Sequence, residues 1–271
     1  MNNFTNILLF VVLALNLSIS AQNNSYQFND VDRVINKAIE DKSFPGGVVL
    51  VWKDGKTIYE KAYGNYTYDP ESSPKVKTNT LYDLASVTKV VATTTAAMIC
   101  YDRELFSLDD KVIKYIPEFG VNGKENITIK NLLLHNSGLP AWKKFYGRNL
   151  NCDDVINEIY SSELEYKIGE KTVYSDLGII TLGKIIEKVT NKSLDNFCEV
   201  EIFNPLEMNT TFYNPKDSLK KLCAPTEIDN YWRMKTLQGE VHDETSAMLN
   251  GVAGHAGLFS NARILQSLCR Y

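Results

Sequence analysis

A serine and a lysine three residues apart, Ser86-Val87-Thr88-Lys89, stand at the head of an apolar run. On a helix this spacing puts a hydroxyl and an amine on one face, one turn apart. Serine is a poor nucleophile until a base takes its proton. A lysine can be that base once burial and neighbouring charge weaken its hold on its own proton. The spacing itself is common. With 17 serines and 23 lysines in 271 residues, about 1.4 such pairs arise by chance. Three occur: Ser72/Lys75, Ser86/Lys89 and Ser218/Lys221.

Context separates the three. Ser72/Lys75 lies in a turn-rich stretch where Pro74 opposes a helix. Ser218/Lys221 follows Asn214-Pro215-Lys216-Asp217 and suits a solvated surface turn. Only Ser86/Lys89 opens a long apolar segment, Val90 to Cys100, which predicts a buried helix and a poorly solvated lysine. On local sequence, a helix N-terminus with a capping serine and a snorkelling lysine explains the pair equally well.

Other residues could join such chemistry. Tyr174-Ser175-Asp176 precedes a strongly apolar helix, and a tyrosine beside a lysine can relay a proton to a leaving group. By itself it reads as a tyrosine packing at a helix start, with Asp176 favourable in the first turn. His135, in Leu132-Leu133-Leu134-His135-Asn136-Ser137-Gly138-Leu139-Pro140, reads as a helix-end residue satisfying carbonyls. Gly251 to Ser260 is rich in small residues and implies close backbone approach to substrate or to another element.

Several chemistries are set aside. Gly178-Ile179-Ile180-Thr181-Leu182-Gly183-Lys184-Ile185 has phosphate-loop spacing, but Ile185 replaces Ser/Thr and no strand precedes it, so it reads as buried helix. The three histidines, His135, His242 and His255, show no helical pairing, and neither metal nor cofactor is expected. No Gly-x-Ser-x-Gly occurs. A net charge of −4 argues against nucleic-acid binding. The five cysteines are widely spaced and odd in number, without a disulfide framework or zinc knuckle.

The elements that must position these residues follow from periodicity. Residues 1–20 resemble an export signal: Ile7 to Leu15 is apolar, Ser18-Ile19-Ser20 offers small residues, and a polar stretch begins at Ala21. The apolar run is too short to span a membrane. The expected product is residues 21–271, a periplasmic or secreted monomer with no membrane span after cleavage. Val31, Val34, Ile35, Ala38 and Ile39 mark a first helix ending near Asp41. Gly47–Trp52 and Thr57–Tyr63 flank Asp54-Gly55, a strong hairpin signal. From Ser86 to about Leu222 the chain reads as mostly helical, with signals at Ile129–Leu134, Val155–Tyr160 and Leu177–Val189. The pattern predicts an α+β fold with a helical lobe against an antiparallel sheet. That sheet looks unfinished, because no second convincing strand pair follows and Ala262 to Tyr271 reads as the start of a helix.

In order along the chain, Ser86-x-x-Lys89, His135–Pro140, Tyr174-Ser175-Asp176 and Gly254-His255-Ala256-Gly257-Leu258-Phe259-Ser260 resemble the serine β-lactamase and penicillin-binding-protein superfamily. The likeness, over roughly Phe28 to Ala262, is to class C β-lactamases, D-Ala-D-Ala carboxypeptidases and related esterases. It implies a β-lactamase/transpeptidase-like fold and an exported serine hydrolase acting on a small-molecule or peptidoglycan-derived acyl substrate. Ser86 would be acylated, Lys89 would accept its proton, and Tyr174 would shuttle protons to the leaving group. Asp176 would contact substrate where many members have Asn. The Ser86 backbone N–H would be half of the oxyanion hole. The superfamily also needs a Lys/His-Thr/Ser-Gly motif on an inner strand. His255-Ala256-Gly257 resembles it, placing His255 and Gly257 among candidate substrate-binding residues. Yet this run comes only 81 residues after Tyr174, and in the resembling subgroup it is a separate feature, with the third motif later. The expectation is a domain incomplete at its C-terminus, lacking the final strands and C-terminal helix. A catalytically incomplete remnant or binding module of the same fold is the alternative.

Overall fold

The computed structural model describes residues 27–268; the expected export signal and Cys269 lie outside them. The chain opens with α1 (Asn29–Glu40), which lies across a hairpin of β1 (Gly46–Lys53) and β2 (Lys56–Gly64). Asp54 and Gly55 both take positive φ (49° and 77°), the geometry a tight hairpin demands of its two turn residues. From α1, Asp32 accepts hydrogen bonds from Tyr59 and Tyr63 (2.7 and 2.6 Å) and pairs with Lys61 at 2.7 Å, tying helix to strand. The hairpin strands pair only with each other among the described residues.

β3 (Tyr82–Asp83) leads into a helix that begins just after Ser86. It winds first in wide π-type turns over Lys89–Thr94 and continues as α2 (Thr95–Asp102). The expected buried helix is buried on one face only. Val91, Ala92, Thr93, Ala96, Ala97 and Cys100 are enclosed, whereas Val90, Met98 and Tyr101 are exposed. An unbroken apolar run carries no phase, so the sequence could not show which side faces solvent.

The helical lobe continues with α3 (Ile129–Leu133), α4 (Cys152–Tyr160), α5 (Asp176–Thr190) and α6 (Leu194–Cys198). Long connections separate them, so the stretch from Ser86 to Leu222 is less helical than its periodicity suggests. The Gly178–Ile185 run falls inside α5, with Leu177 to Gly183 all buried. One core cluster joins residues of α2 to α6, including Ile129, Leu132, Ile180, Leu182 and Phe197, with Phe119 and the β7 residue Leu258.

Short strands absent from the sequence pattern complete the middle. β4 (Phe212–Tyr213) and β3 flank β7 (Leu258–Ser260) in a three-stranded antiparallel sheet, with Tyr82 opposite Ser260 and Phe212 opposite Phe259. Strands of two or three residues are too short to show alternation. Between β4 and β7 lie α7 (Asp217–Lys220), the β5–β6 pair (Ile228–Asp229, Lys235–Thr236) and α8 (Glu244–Met248). As expected, a helix follows β7: α9 (Ala262–Leu268), held to β2 by Arg263–Glu60 and to Thr57 by Gln266. Cys100, Cys152, Cys198 and Cys223 are free.

Candidate active site

Ser86 sits on a constrained turn between β3 and the helix. Ala85 just before it has φ +43°, a conformation that costs a non-glycine residue energy and persists only where the surroundings enforce it. Asp83 does part of the enforcing: its two carboxylate oxygens accept the Ala85 N–H at 2.8 Å and the His242 N–H at 2.7 Å. Burial pushes the Asp83 carboxyl up, with the His242 and Ala85 bonds acting the other way. The turn is also strapped to β7, through Leu84 N–H to the Leu258 carbonyl (2.8 Å) and Leu258 N–H to Thr88 Oγ1 (3.2 Å). Ser86 is thus exposed while Thr88 and Lys89 beneath it are buried.

The Lys89 amine reaches three oxygens. Nζ lies 2.8 Å from Ser86 Oγ and 3.2 Å from the His255 carbonyl, and pairs with Asp176 at 2.7 Å. The amine donates hydrogen bonds to Ser86 and His255, whereas Asp176 Oδ1 is held to it by charge at ion-pair distance and accepts no hydrogen bond. The Tyr174 ring covers the amine, with its centroid 4.7 Å from Nζ. Tyr174 is half exposed, so its hydroxyl is not locked by packing.

Tyr174 and Asp176 are delivered by the segment carrying His135. The His135 carbonyl accepts the Val173 N–H (2.8 Å), and its Nδ1 accepts the Ser175 N–H (3.0 Å). Ser175 caps α5 by accepting from Gly178 N–H and donates to the Pro140 carbonyl at 2.6 Å. Asp176 N–H donates to the Ala141 carbonyl at 2.9 Å. His135 does end α3, with φ +54°, but its ring accepts a backbone N–H instead of satisfying carbonyls. The ring also lies 4.7 Å from that of Tyr174. Burial, then the Lys89 charge, pull His135 below the ordinary histidine value, which suits a neutral ring whose Nδ1 is an acceptor.

The small-residue run packs against both helices of the site. A Cβ on Gly254 would stand 2.3 Å from the Ile179 carbonyl oxygen, and the Gly254 carbonyl accepts from Thr93 Oγ1 at 2.6 Å. Gly257 (φ +117°) is buried where a Cβ would meet the Gly251 carbonyl at 2.4 Å. His255 is buried too, and its Nε2 lies 2.8 Å from Asp243 Oδ1. His255 thus meets Lys89 through its carbonyl and Asp243 through its ring, whereas Gly257 is buried against Gly251, Ser246 and Tyr213. Burial works to raise the Asp243 carboxyl, but the His255 bond and charge, the Ser246 N–H and the Lys89 charge together outweigh it and hold the group below the usual carboxylate range.

Asp243 and Asp83 were missed as site residues by local sequence reading. Asp243 accepts from Ser246 N–H at 2.7 Å as the cap of α8, so its sequence signal is that of an ordinary N-cap. Nothing in the spacing to His255 marks a pair. Asp176, Asp243 and His255 each bring a ligating atom within 4.8 Å of the others. The cation already seated on Asp176 is Lys89, and a metal ion there would compete with the amine for that carboxylate.

Residues 31–270 match the family model described as Beta-lactamase. The chain belongs to that family. Over 276 residues it is 38% identical to the N-acetylmuramyl-L-alanine amidase of Bacillus subtilis, covering 90% of this chain and 62% of the relative. Over 269 residues it is 35% identical to a protein of Escherichia coli K12 provisionally named a D-alanyl-D-alanine carboxypeptidase, covering 88% and 62%. The chain thus spans about three fifths of the length of these relatives. The class C β-lactamase of Rhodobacter sphaeroides shares the fold with a TM-score of 0.70 at 21% identity, over 89% of this chain and 64% of that one. The β-lactamase/transpeptidase-like α+β fold expected from the motifs is the fold observed.

Proposed function

We propose that the chain carries a serine hydrolase centre acting through an acyl-Ser86 intermediate. The observation that carries this reading is the buried Lys89 amine, 2.8 Å from Ser86 Oγ and anchored on its other sides by Asp176 and the His255 carbonyl. These contacts suit both protonation states without moving heavy atoms. As an ammonium, Lys89 donates to Ser86 and His255 and is paired by charge with Asp176. As a free amine, it keeps the His255 bond and turns its lone pair to the Ser86 hydroxyl.

Ser86 Oγ then attacks the acyl carbonyl carbon while its proton passes to Lys89 Nζ. The bond from the carbonyl carbon to the leaving nitrogen or oxygen breaks, and the leaving group takes a proton through the Tyr174 hydroxyl. Water attacks the acyl carbon of the resulting ester, and the bond from that carbon to Ser86 Oγ breaks. The water's proton returns along the same path to Oγ, and the carboxylic acid product leaves. The Ser86 N–H, at the start of a helix, would stabilise the oxyanion. The names of the two relatives support a cell-wall-derived amide or peptide as the acyl donor. On this reading the protein works in the periplasm or outside the cell, and N-terminal sequencing of the exported form should begin at Ala21.

Intact-mass analysis after treatment with a fluorescent penicillin or a nitrophenyl ester tests the nucleophile. One adduct is expected on the unmodified chain and none on Ser86→Ala. Equal labelling of both would refute it.

A further inference from the structure

Resting on the assignment of Ser86 as the nucleophile, we propose that Arg233 is a positioning residue for the Ser86 turn, acting through the single peptide group between Val241 and His242. Arg233 lies in the turn that joins β5 to β6. Its Nη1 donates to the Val241 carbonyl at 2.7 Å and its Nη2 to the His242 carbonyl at 2.7 Å. The Val241 carbonyl and the His242 N–H belong to one trans peptide, so they point to opposite sides of it. On the far side that N–H meets Asp83 at 2.7 Å. The other Asp83 oxygen holds the Ala85 N–H at 2.8 Å, one residue before Ser86. Guanidinium, peptide and carboxylate therefore form one line that ends at the nucleophile turn. A cation on the carbonyl oxygen polarises the peptide and strengthens the bond its N–H gives to a carboxylate.

Arg233 is itself held from several sides. One Asp229 oxygen accepts its Nε–H at 2.8 Å and its backbone N–H at 3.1 Å; the other takes the N–H groups of Tyr231 and Trp232 at 3.1 and 2.9 Å. The Trp232 ring centroid lies 5.0 Å from the guanidinium carbon. The Arg233 side chain is 12% exposed and that of Asp229 is 0%. A buried ion pair contributes little net stability over an apolar filling, so its use lies in what the two free arms of the guanidinium fix. Both end on consecutive carbonyls of the segment that bonds Asp83. The fork is planar and rigid, a geometry that a lysine ammonium does not copy. Ala85, with φ +43°, keeps its conformation only while its surroundings enforce it. Without the Asp83 strap the turn can relax and carry Ser86 Oγ out of line.

The test reads two quantities on the full chain. Amide exchange of His242 is followed by ¹⁵N NMR, and acylation by a fluorescent penicillin is resolved by stopped flow into a binding constant and a first-order rate. Arg233→Lys keeps the charge and loses the fork. Its His242 amide should exchange about tenfold faster, and its acylation rate should fall about ten- to hundredfold, with binding changed by less than about twofold. Lys235→Ala breaks an exposed ion pair with Glu240 in the same loop and should match the unmodified chain in both. Asp83→Asn should also slow acylation, and adding Arg233→Lys to it should cost less than about twofold more, because both act on one line. A cooperatively melting Arg233→Lys or Asp83→Asn chain that acylates at the normal rate would overturn the proposal. So would additive losses in the double variant, or a slow Arg233→Lys chain whose His242 amide stays protected. Equal labelling of Ser86→Ala would refute the nucleophile instead, and the amide exchange would still decide whether Arg233 seats the peptide.

Discussion

Replacing Gly254 by alanine adds one methyl group where the chain passes between two helices. The new Cβ would lie 2.3 Å from the Ile179 carbonyl oxygen of α5, 3.2 Å from its carbon and 3.4 Å from Thr93 Oγ1. Ordinary contact begins near 3.4 Å, so the backbone at 254 and α5 must part by roughly 1 Å. Neither side is a flexible side-chain end, and overpacking of this kind costs about 1–3 kcal/mol. At about 2–4 °C per kcal/mol for a chain of this size, the melting temperature should fall by roughly 2–12 °C. The displacement also reaches the chemistry, because the next residue supplies the carbonyl that seats Lys89 and Thr93 bonds the Gly254 carbonyl. Misplacement by about 1 Å costs on the order of 10²-fold in rate. Differential scanning calorimetry and the rate of Ser86 acylation read the two effects. Gly47→Ala is the control, since a Cβ there meets nothing within 4 Å. A Gly254→Ala chain that melts and acylates like Gly47→Ala would refute the close approach and its link to Lys89.

Lys89→Met keeps the apolar stem and removes the amine, and Tyr174→Phe removes only the hydroxyl; each should lower turnover by about 10²–10⁴ with the fold intact. Near-normal rates in a folded variant would return that residue to a packing role. His135 predicts a pH effect on stability. Its folded form gives up its proton below the ordinary histidine value, so the unfolded chain binds more protons just below about pH 6.5, and stability falls as pH drops through that range. Thermal melts from pH 7.5 to 5.5 should show the loss. His135→Asn, which tolerates positive φ and can accept the Ser175 N–H, should lessen it; an unchanged slope would refute the role.

The parts of this site differ in how far sequence exposed them. Ser86 and Lys89 were legible because helical spacing and an apolar run are local properties, and Asp54-Gly55 announced its hairpin for the same reason. His135 to Pro140 was visible only as a helix end. Its role as the bed for Tyr174 and Asp176 lies in backbone bonds across about 40 residues, such as Ser175 N–H to His135 Nδ1. Asp83 and Asp243 were hidden further, since a carboxylate joining two backbone N–H groups and an N-cap both look ordinary in sequence. The two- and three-residue strands β3, β4 and β7 exist because they pair with one another, and no periodicity of their own foretells them.

The Lys89 amine rests on a carbonyl 166 residues further along the chain, and this ties activation of the serine to the order of folding. Contacts of such separation carry a large loop-closure cost and form late, after the local helices and the hairpin. A partly folded chain can hold Ser86 and Lys89 near each other at the start of one helix, yet it lacks the distant anchor that sets the amine. On the proposed chemistry, misfolded and nascent forms are then slow to be acylated at Ser86. The same long-range bond that assembles the site keeps a reactive hydroxyl quiet until the domain around it has closed.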